Sequence, residues 1–505
     1  MKFPILVFLT AAILPHVTAA DSSAIAPYYT VRNLPLPPGI APEIGALTAL
    51  PDGRLAIGFH HGEVTFFDPA TGAWNVFAEG LHEPLGILPE KDGSLLVMQR
   101  PELTRLRDTD GDGTADQYET VWDGFGMTGN YHEFAFGPVR GPDGKLYVSL
   151  NLASNGDTIR PEIRGEWSEI GMAREKFYGD WKKVKNGAGR MYSRVPWRGW
   201  VMQLDPKDWS ATPFACGFRS PDGIGFDAKG NLLVDDNQGD WRGTNPLFVM
   251  QKGGFYGHPA SLVWRDGWDG SVPIKLPIEK LNELRTPSAV EFPYGTYANS
   301  PTAIVVIPKT PAWGPFGGQT LVGEMNNPRL LRVLLEQVDG RWQGACVALL
   351  DDESLKRGLQ RLAFVGDTLF LGRTHLSWAG GEGLGTVTPT GKTPFDPLDM
   401  HVTPNGFRLD FTEPVAPGST APNLWSATRF HYDYHETYGS PELEKTEVTP
   451  TKVTLSNEGR TVDLEFADLP TDFIYDFHLS KVRSESGAPL LNPKIAYTLR
   501  RRPAK

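Results

Sequence analysis

The sequence is poor in cysteine, with only Cys216 and Cys346 among its 505 residues. Two cysteines cannot build the disulfide framework of a small secreted domain, and no CxxCH motif is present to attach a haem. The two residues lie far apart in the sequence, which leaves open whether they pair.

Long apolar runs and an excess of positive charge are also missing. Beyond residue 20 no stretch is long enough to span a bilayer. The 49 Lys and Arg residues are outnumbered by 60 Asp and Glu residues, which gives a net charge of -11. This balance disfavours nucleic acid and anionic membranes as partners. We therefore expect no nucleic-acid partner and no membrane span.

Residues 1–20 have the composition of a secretory signal peptide. A short basic start precedes an apolar run from Phe3 to Leu14, and small residues follow at Val17, Ala19 and Ala20. This order predicts cleavage near Ala19 or Ala20. We therefore predict a secreted or periplasmic protein.

Glycine and proline are abundant, with 55 and 43 residues, while 40% of the chain is hydrophobic. A composition this rich in turn formers, yet apolar enough to fold, favours a packed all-β protein over a disordered one. The length suggests two domains or one large repeat assembly.

An internal repeat predicts the architecture. A glycine-containing turn followed by an apolar strand recurs six times, with its glycine at Gly53, Gly93, Gly144, Gly230, Gly318 and Gly366. Three of the five intervals are about 40 to 50 residues, the length of a four-stranded propeller blade, and the two longer ones fit a blade plus an insertion. The pattern predicts a six-bladed β-propeller over residues 27–392.

Two further features of the sequence indicate how the propeller ring closes and what surrounds its opening. The early segment 28–36 is predicted to supply an outer strand that closes the ring. The insertions at about 149–199 and 240–300 are rich in Trp, Tyr, Arg and Gly. Long insertions in compact domains usually carry function, so we expect these two to surround the mouth.

A second domain is predicted after a proline-marked linker at about 393–399. Short alternating strands at 407–411, 453–455, 462–466, 476–479 and 497–499 favour an immunoglobulin-like β-sandwich over residues 396–503, with an accessory role. Its cluster of aromatic and polar residues at 431–435 has two interpretations, a metal or sugar site or an aromatic-rich hairpin.

One hairpin within the propeller, residues 215–241, has an unusual ending. Arg219 opens it, and the apolar run 232–234 stops at Asp235, Asp236, Asn237 and Asp240. Loops held by a rigid sheet often build sites. The other interpretation is a turn in which these side chains bond their own backbone.

A calcium loop is predicted at residues 108–119. Carboxylates occupy loop positions 1, 3, 5, 9 and 12, a glycine occupies position 6, and a backbone carbonyl serves at position 7. The ligands would be Asp108, Asp110, Asp112, Thr114, Asp116 and Glu119. The flanking residues read as strands, so we expect a structural clip in a β-hairpin; a solvated acidic turn is the alternative.

His132 precedes the apolar strand that leads into the third repeat turn. In a propeller this position lies at the inner end of a blade, facing the axis. A histidine there can accept a proton near neutral pH. A hydrogen-bonded structural histidine would have the same sequence context.

The motifs around His132 and Arg219 resemble those of the soluble quinoprotein glucose and sorbosone dehydrogenases. The segments are 132–137, the Asp143-Gly144 turn, and 217–223. Segments 236–241 and 256–261 are similar to those of a secreted branch found in Planctomycetes and Verrucomicrobia and often called membrane-bound dehydrogenases. The resemblance covers residues 30–390 and implies a six-bladed propeller with pyrroloquinoline quinone on its axis.

The resemblance also implies roles for single residues. His132 would remove the sugar hydroxyl proton, and Arg219 would polarise a quinone carbonyl. The chain departs from the family at Ser220, where asparagine is usual, and at Glu324, near the position of a cofactor-binding lysine. The remaining predicted ligands are Arg361, Arg373, Asp236 and Asn237 for the cofactor, and Asp240, Trp241, His258, Glu324 and Asn326 for the substrate.

Three functions are therefore open. The first is a sugar or aldehyde dehydrogenase that uses quinone and calcium and passes electrons to an external acceptor. The second is a non-redox lyase or hydrolase acting on a polysaccharide through His132, Glu133, Asp236, Asp240 and Glu324. The third is a glycan-binding module that stacks sugars on Trp181, Trp197, Trp200, Trp241 and Trp264.

Overall fold

A computed structural model describes residues 23–171, 190–375 and 380–504 of this chain. The predicted signal peptide and Trp181 lie outside the described residues. Where the structure is described, its regular secondary structure is almost wholly antiparallel β-sheet. The predicted all-β fold class, a six-bladed β-propeller followed by a small β-sandwich, is confirmed.

Five separate four-stranded sheets and four strands of a larger sheet form six blades in the described residues. The N-terminal strand β1 (Tyr29–Leu34) belongs to the last of them. The first two blades are β2 (Ile44–Ala49), β3 (Leu55–Phe59), β4 (Val64–Asp68), β5 (Ala73–Ala78) and β6 (Gly86–Pro89), β7 (Leu95–Met98), β8 (Leu103–Arg107), β9 (Gln117–Trp122).

The third and fourth blades carry the insertions. The third consists of β10 (Ala135–Arg140), β11 (Leu146–Leu150), β14 (Trp200–Leu204) and β15 (Ala211–Cys216), and its insertion contains the short pair β12 (Ala153–Ser154) and β13 (Met191–Tyr192). The fourth consists of β16 (Ile224–Phe226), β17 (Leu232–Asp235), β18 (Asn245–Val249) and β19 (Val290–Phe292). Its insertion includes the helix α1 (Ile278–Leu284).

The last two blades complete the ring. The fifth consists of β20 (Pro301–Val306), β21 (Thr320–Glu324), β22 (Arg329–Val338) and β23 (Arg341–Asp351). The sixth consists of β24 (Leu359–Val365), β25 (Thr368–Arg373), β26 (Gly383–Pro389) and β1. Pairing of β1 with β26, from Tyr29–Pro389 to Leu34–Leu384, confirms the predicted closing strand.

The inner strands pack side by side around the axis, each against its two neighbours in chain order, and β24 packs against β2. The six repeat turns join the first and second strands of the blades. All six turn glycines have positive φ, from 55° at Gly366 to 91° at Gly318. This conformation is strained for other residues, which explains why glycine marks every repeat.

The C-terminal β-sandwich has two facing sheets. One contains β27 (Pro397–Thr403), β28 (Gly406–Phe411), β32 (Thr461–Glu465) and β31 (Lys452–Ser456), and the other contains β34 (Lys494–Leu499), β33 (Phe473–His478), β29 (Ala427–His431) and β30 (Leu443–Val448). Trp425, Phe407 and Tyr475 lie in the apolar core between them.

The sandwich is continuous with the propeller. Strand β34 pairs with β23 of the fifth blade, from Gly344–Thr498 to Val347–Ile495, so that one eight-stranded sheet crosses from the ring into the sandwich. Ala345 and Val347 of the blade belong to the sandwich core. The two units therefore share backbone hydrogen bonds and apolar contacts.

Short 3₁₀ helices lie in the connections, at Pro259–Trp264, Pro273–Lys275, Gly314–Phe316, Glu353–Leu355, Pro417–Thr420, Pro422–Leu424 and Asn457–Gly459. Cys216 and Cys346 are both free and buried, in separate clusters. Among the described residues, no helix combines the length and apolar character needed to cross a bilayer.

Candidate active site

A cavity of about 300 Å³ lies on the propeller axis. The segments that enter the inner strands contribute His132, Arg219, Asp222 and Ser300 to its wall. The insertion of the third blade contributes Arg190, and the connection between the fourth and fifth blades contributes Tyr294. Side chains from neighbouring blades therefore meet at one end of the axis.

The His132 ring has a defined tautomer. Its Nδ1 lies 3.0 Å from the carbonyl oxygen of Leu152, which can only accept, so Nδ1 carries the hydrogen and donates. The backbone N–H of His132 donates to Asn130 Oδ1 at 3.0 Å, which holds the residue in place. Nε2 is therefore the basic nitrogen, and no hydrogen bond within the described residues occupies it.

The surroundings of His132 keep it neutral. Burial lowers the pKa of the imidazole to about 3, and the positive charge of Arg219 acts in the same direction, against the hydrogen bond to Leu152. Arg190 and Arg100 lower the pKa further. The imidazole is therefore neutral near pH 7, and its free Nε2 can accept a hydrogen bond from a bound hydroxyl group.

Arg219 is anchored at one side of its guanidinium. Nε lies 3.4 Å from Asp240 Oδ1, and both side chains are almost fully buried. Gly239 makes room for this contact, because a Cβ at that position would lie 1.9 Å from Arg219 Nε. The terminal nitrogens make no hydrogen bond to the described part of the chain, so they are available to a ligand in the cavity.

Asp236 lies behind the cavity wall, fully buried. Its carboxylate accepts from the backbone N–H groups of Arg219 at 2.8 Å and Ser220 at 2.7 Å, and from Arg242 Nε at 2.9 Å. All these bonds are internal. Asp236 therefore fixes the turn that presents Arg219, while its neighbour Asn237 lines the cavity.

Three of the predicted substrate ligands also lie behind the wall. His258 and Asp240 are fully buried, with His258 Nε2 3.4 Å from Asp240 Oδ2. Because His258 Nδ1 accepts from the Ala260 N–H, Nε2 carries the hydrogen and donates to Asp240. Trp241 is buried against Tyr434. The His258–Asp240 pair thus orients Arg219 from the side opposite the cavity.

The structure places Glu324 and Asn326 in different environments. Glu324 is fully buried and accepts from the backbone N–H groups of Asn299 at 2.8 Å and Ser300 at 2.9 Å. Burial raises the pKa of this carboxyl, and the N–H groups oppose that effect. Asn326 lines the cavity. Glu324 therefore shapes the wall from behind without presenting its carboxylate to a ligand.

The predicted cofactor anchors Arg361 and Arg373 do not line the axial cavity. Arg361 bonds the Leu85 carbonyl at 3.0 Å and Asp222 at 2.6 Å, and so ties blades together at the hub. Arg373 donates from Nε to the Leu355 carbonyl at 2.9 Å. Both guanidinium groups hold the ring together instead of facing the cavity.

Apart from His132, the acid–base residues and the tryptophans predicted for the alternative functions do not line the cavity where the structure describes them. Glu133 accepts from Thr128 and is buried, as are Asp236, Asp240 and Glu324. Trp197, Trp200, Trp241 and Trp264 pack in or against one apolar cluster. The aromatic residues on the cavity wall include three tyrosines, Tyr131, Tyr294 and Tyr438.

Sequence reasoning missed Arg190, Tyr438, Gln238 and Asp222 as wall residues. Arg190 lies in an insertion that was expected at the mouth, but no local pattern distinguished it from the other arginines there. Tyr438 comes from the predicted accessory domain. Asp222 follows Arg219 by three positions and could have been found from the same motif.

The predicted calcium loop joins strands β8 and β9, as the expected hairpin setting requires. Carboxylate oxygens of Asp108, Asp110 and Asp112 lie within 4.8 Å of one another. Asp116 accepts from the N–H and hydroxyl of Thr109. The Glu119 carboxylate pairs with Arg107 at 2.8 Å and with Arg105 at 3.3 Å. Three of the six predicted ligands are thus gathered, and calcium binding stays a prediction.

Comparisons with known proteins add little about activity. A family model described as "Domain of unknown function (DUF7133)" matches residues 68–193. No curated protein matches the sequence.

Similar solved structures include aldose sugar dehydrogenases and a pyranose dehydrogenase domain. The PQQ-bound aldose sugar dehydrogenase from Streptomyces coelicolor is 16% identical, with a TM-score of 0.47 over 72% of this chain and 98% of that chain. The soluble apo enzyme from Escherichia coli is 13% identical, with 0.43 over 72% and 99%. The holo PQQ domain of pyranose dehydrogenase from Coprinopsis cinerea is 12% identical, with 0.45 over 71% and 97%. Sequence identities and TM-scores this low give no information about chemistry. The chemistry is therefore inferred from the residues of the cavity.

Proposed function

We propose that this chain is a sugar or aldehyde dehydrogenase that uses a quinone, with His132 as the base and Arg219 as the cation beside the cofactor. The observation that supports this proposal best is the presence of a neutral His132 and the guanidinium of Arg219 on the wall of one axial cavity. Proton removal and charge stabilisation are the two tasks that alcohol oxidation requires of a protein.

The cavity wall fits an anionic, oxygen-rich planar group. Arg219 and Arg190 supply two positive charges, and each guanidinium lies over the ring of Tyr438. Asn237 Oδ1 is buried without a donor from the described residues, so it can accept a hydrogen bond from a bound N–H or O–H group. Pyrroloquinoline quinone would be held by Arg219, Arg190 and Asn237, and it would supply a two-electron acceptor for the substrate's hydride.

The protein's own contribution is proton transfer and orientation. His132 Nε2 takes the proton of a sugar hydroxyl or of a hydrated aldehyde, while Nδ1–H stays bonded to Leu152. Arg219, fixed by Asp240, places a charge where negative charge develops on an oxygen. Neither group needs to move, because both are held by buried partners.

A glycan-binding propeller is the second candidate. It is favoured by the three exposed tyrosines on the cavity wall, Tyr131, Tyr294 and Tyr438. This function needs neither the quinone nor an external electron acceptor. Sugar affinity without turnover would support it over the dehydrogenase.

Reconstitution tests the dehydrogenase proposal. Purified protein is incubated with pyrroloquinoline quinone and Ca²⁺, freed of excess, and analysed for bound quinone by absorbance and mass. Reduction of an artificial electron-acceptor dye is then measured with a panel of sugars and aldehydes. We expect bound quinone and turnover of at least one substrate, whereas protein that retains no quinone and reduces no dye would exclude the proposal.

We also propose, on the sequence alone, that the protein is exported and that it passes electrons to an external acceptor. Expression of the full sequence in a bacterium, followed by fractionation and N-terminal sequencing, tests it. We expect a periplasmic or secreted product that begins near Asp21. A full-length cytoplasmic product would contradict export.

A further inference from the structure

The C-terminal sandwich reaches the axial cavity through the loop between β29 and β30. The Tyr434 hydroxyl donates to the Gly257 carbonyl at 2.5 Å, and the Gly439 N–H donates to the Gly239 carbonyl at 2.9 Å. The Trp241 N–H donates to the His435 carbonyl at 3.1 Å. The loop is thus bonded to the segment 239–241, which also holds Arg219.

This docking places Tyr438 on the cavity wall. Its backbone bridges Asp240, and its ring lies 5.4 Å from the guanidinium carbon of Arg219 and 5.6 Å from that of Arg190. The residue nevertheless stays 39% exposed. The exposed part of Tyr438 is therefore available for a ligand beside these two guanidinium groups.

Tyr438 is one of three exposed tyrosines on this wall. Tyr131 precedes the third blade and is 41% exposed, and Tyr294 lies between the fourth and fifth blades and is 49% exposed. Among the described residues only six large apolar side chains are exposed, and these tyrosines are half of them. Exposed aromatic groups concentrated in one cavity mark a ligand site.

The chemistry of this wall suits a saccharide. Tyrosine rings offer flat apolar faces for the C–H groups of a pyranose. Asn326, Gln238 and Ser300 add polar groups nearby.

We propose that Tyr438 is a saccharide-binding residue and that the C-terminal sandwich completes the substrate site of the propeller. The proposal rests on the proposed function for its substrate class, but sugar binding can be measured without turnover. It gives the C-terminal domain a direct part in specificity.

The experiment compares Tyr438→Leu, which removes the ring, with Tyr438→Phe, which keeps it. Tyr118→Leu serves as the matched control, because Tyr118 is 46% exposed on blade two and does not line the cavity. Binding of glucose, maltose and cellobiose to the full chain is measured by NMR titration, and thermal melting verifies that each variant is folded.

We expect Tyr438→Leu to weaken sugar binding about threefold to tenfold, the range of one aromatic contact. Tyr438→Phe should stay within about twofold of the parent, and Tyr118→Leu should match it. Equal affinity of Tyr438→Leu and the parent, or no binding of any of the three sugars to the parent, would overturn the proposal.

Quinone retention separates the two proposals. If the parent is active, Tyr438→Leu should retain bound quinone and raise KM more than it lowers kcat. Loss of quinone from this variant would show that Tyr438 acts only through the arginines and would overturn its role as a sugar ligand. A parent that binds sugar in a Tyr438-dependent way without turnover would exclude the dehydrogenase and leave the saccharide site standing.

Discussion

Arg219 and His132 line the same axial cavity, and after burial it is the charge of Arg219 that lowers the pKa of His132 most. The two residues precede the inner strands of neighbouring blades, β16 and β10. The positive charge of Arg219 keeps the imidazole of His132 unprotonated. The same charge can stabilise negative charge that develops on a bound oxygen.

Replacing His132 with Asn should remove the base while the cavity keeps its shape. We expect kcat to fall about 10²- to 10⁴-fold, the usual contribution of a general base, with bound quinone unchanged. The matched control is His82→Asn, since His82 is exposed and does not line the cavity. Equal loss in both variants, or an unaffected His132→Asn enzyme, would contradict the assignment.

The pH dependence of activity follows from the lowered pKa of His132. Its Nε2 is free to accept a proton above about pH 3, far below the ordinary histidine value of 6.5. We therefore expect kcat/KM to show no acidic limb near pH 6.5 and to stay level down to about pH 5. A limb at pH 6 to 7 that disappears in His132→Asn would contradict the low pKa.

Gly239→Ala should displace Arg219 without removing its charge. A Cβ at this position would lie 1.9 Å from Arg219 Nε and would break the contact with Asp240. We expect weaker quinone retention and at least a tenfold loss of kcat/KM, which corresponds to about 1.4 kcal/mol. Gly418→Ala is the control, because nothing lies within 4 Å of its added Cβ. Full activity of Gly239→Ala would show that the position of Arg219 is unimportant.

If the loop 108–119 binds calcium, removing one of its carboxylates should lower the stability of the protein only when Ca²⁺ is present. Asp112→Ala removes one of the three gathered carboxylates, so its melting temperature should fall below that of the parent in Ca²⁺ but not in chelator. Asp266→Ala, an exposed aspartate elsewhere, should behave as the parent under both conditions. Identical shifts of Asp112→Ala with and without Ca²⁺ would exclude a calcium clip.

His401 links the sandwich to the fifth blade through a pH-dependent contact. Asp399 and Glu336 raise the pKa of its imidazole to about 10. Because the folded-state pKa is raised, the stabilisation is complete below about pH 6.5 and is lost as the pH rises through about 10. The melting temperature of His401→Gln should therefore lie furthest below that of the parent at pH 6 and approach it near pH 10. A difference that grows with pH would contradict this sign.

The propeller ring could be predicted because the repeated turn that marks each blade is a local sequence pattern. Each repeat turn needs a positive φ, so glycine recurs six times whatever the rest of the blade contains. The pairing of β23 with β34 could not be predicted, since it joins Gly344 to Thr498 across a long stretch of sequence. No local pattern marks which blade a later domain will extend.

The site was predicted less completely than the fold. His132 and Arg219 lie in motifs that directly precede inner strands, and both side chains line the cavity. Asp236, Asp240 and Glu324 look like ligands in the sequence, but Arg242, His258 and backbone N–H groups take up their oxygens in the fold. Tyr438 belongs to the other domain, so only the docked loop reveals it.

Anaerobic reduction of the bound quinone is the sharpest test of His132 as the base in sugar oxidation. Parent protein and His132→Asn are loaded with equal amounts of quinone, mixed with a sugar that supports dye reduction, and followed by absorbance without an electron acceptor. We expect rapid reduction in the parent and reduction at least 100-fold slower in His132→Asn. Equal rates in the two proteins, or a parent that holds no quinone, would contradict it.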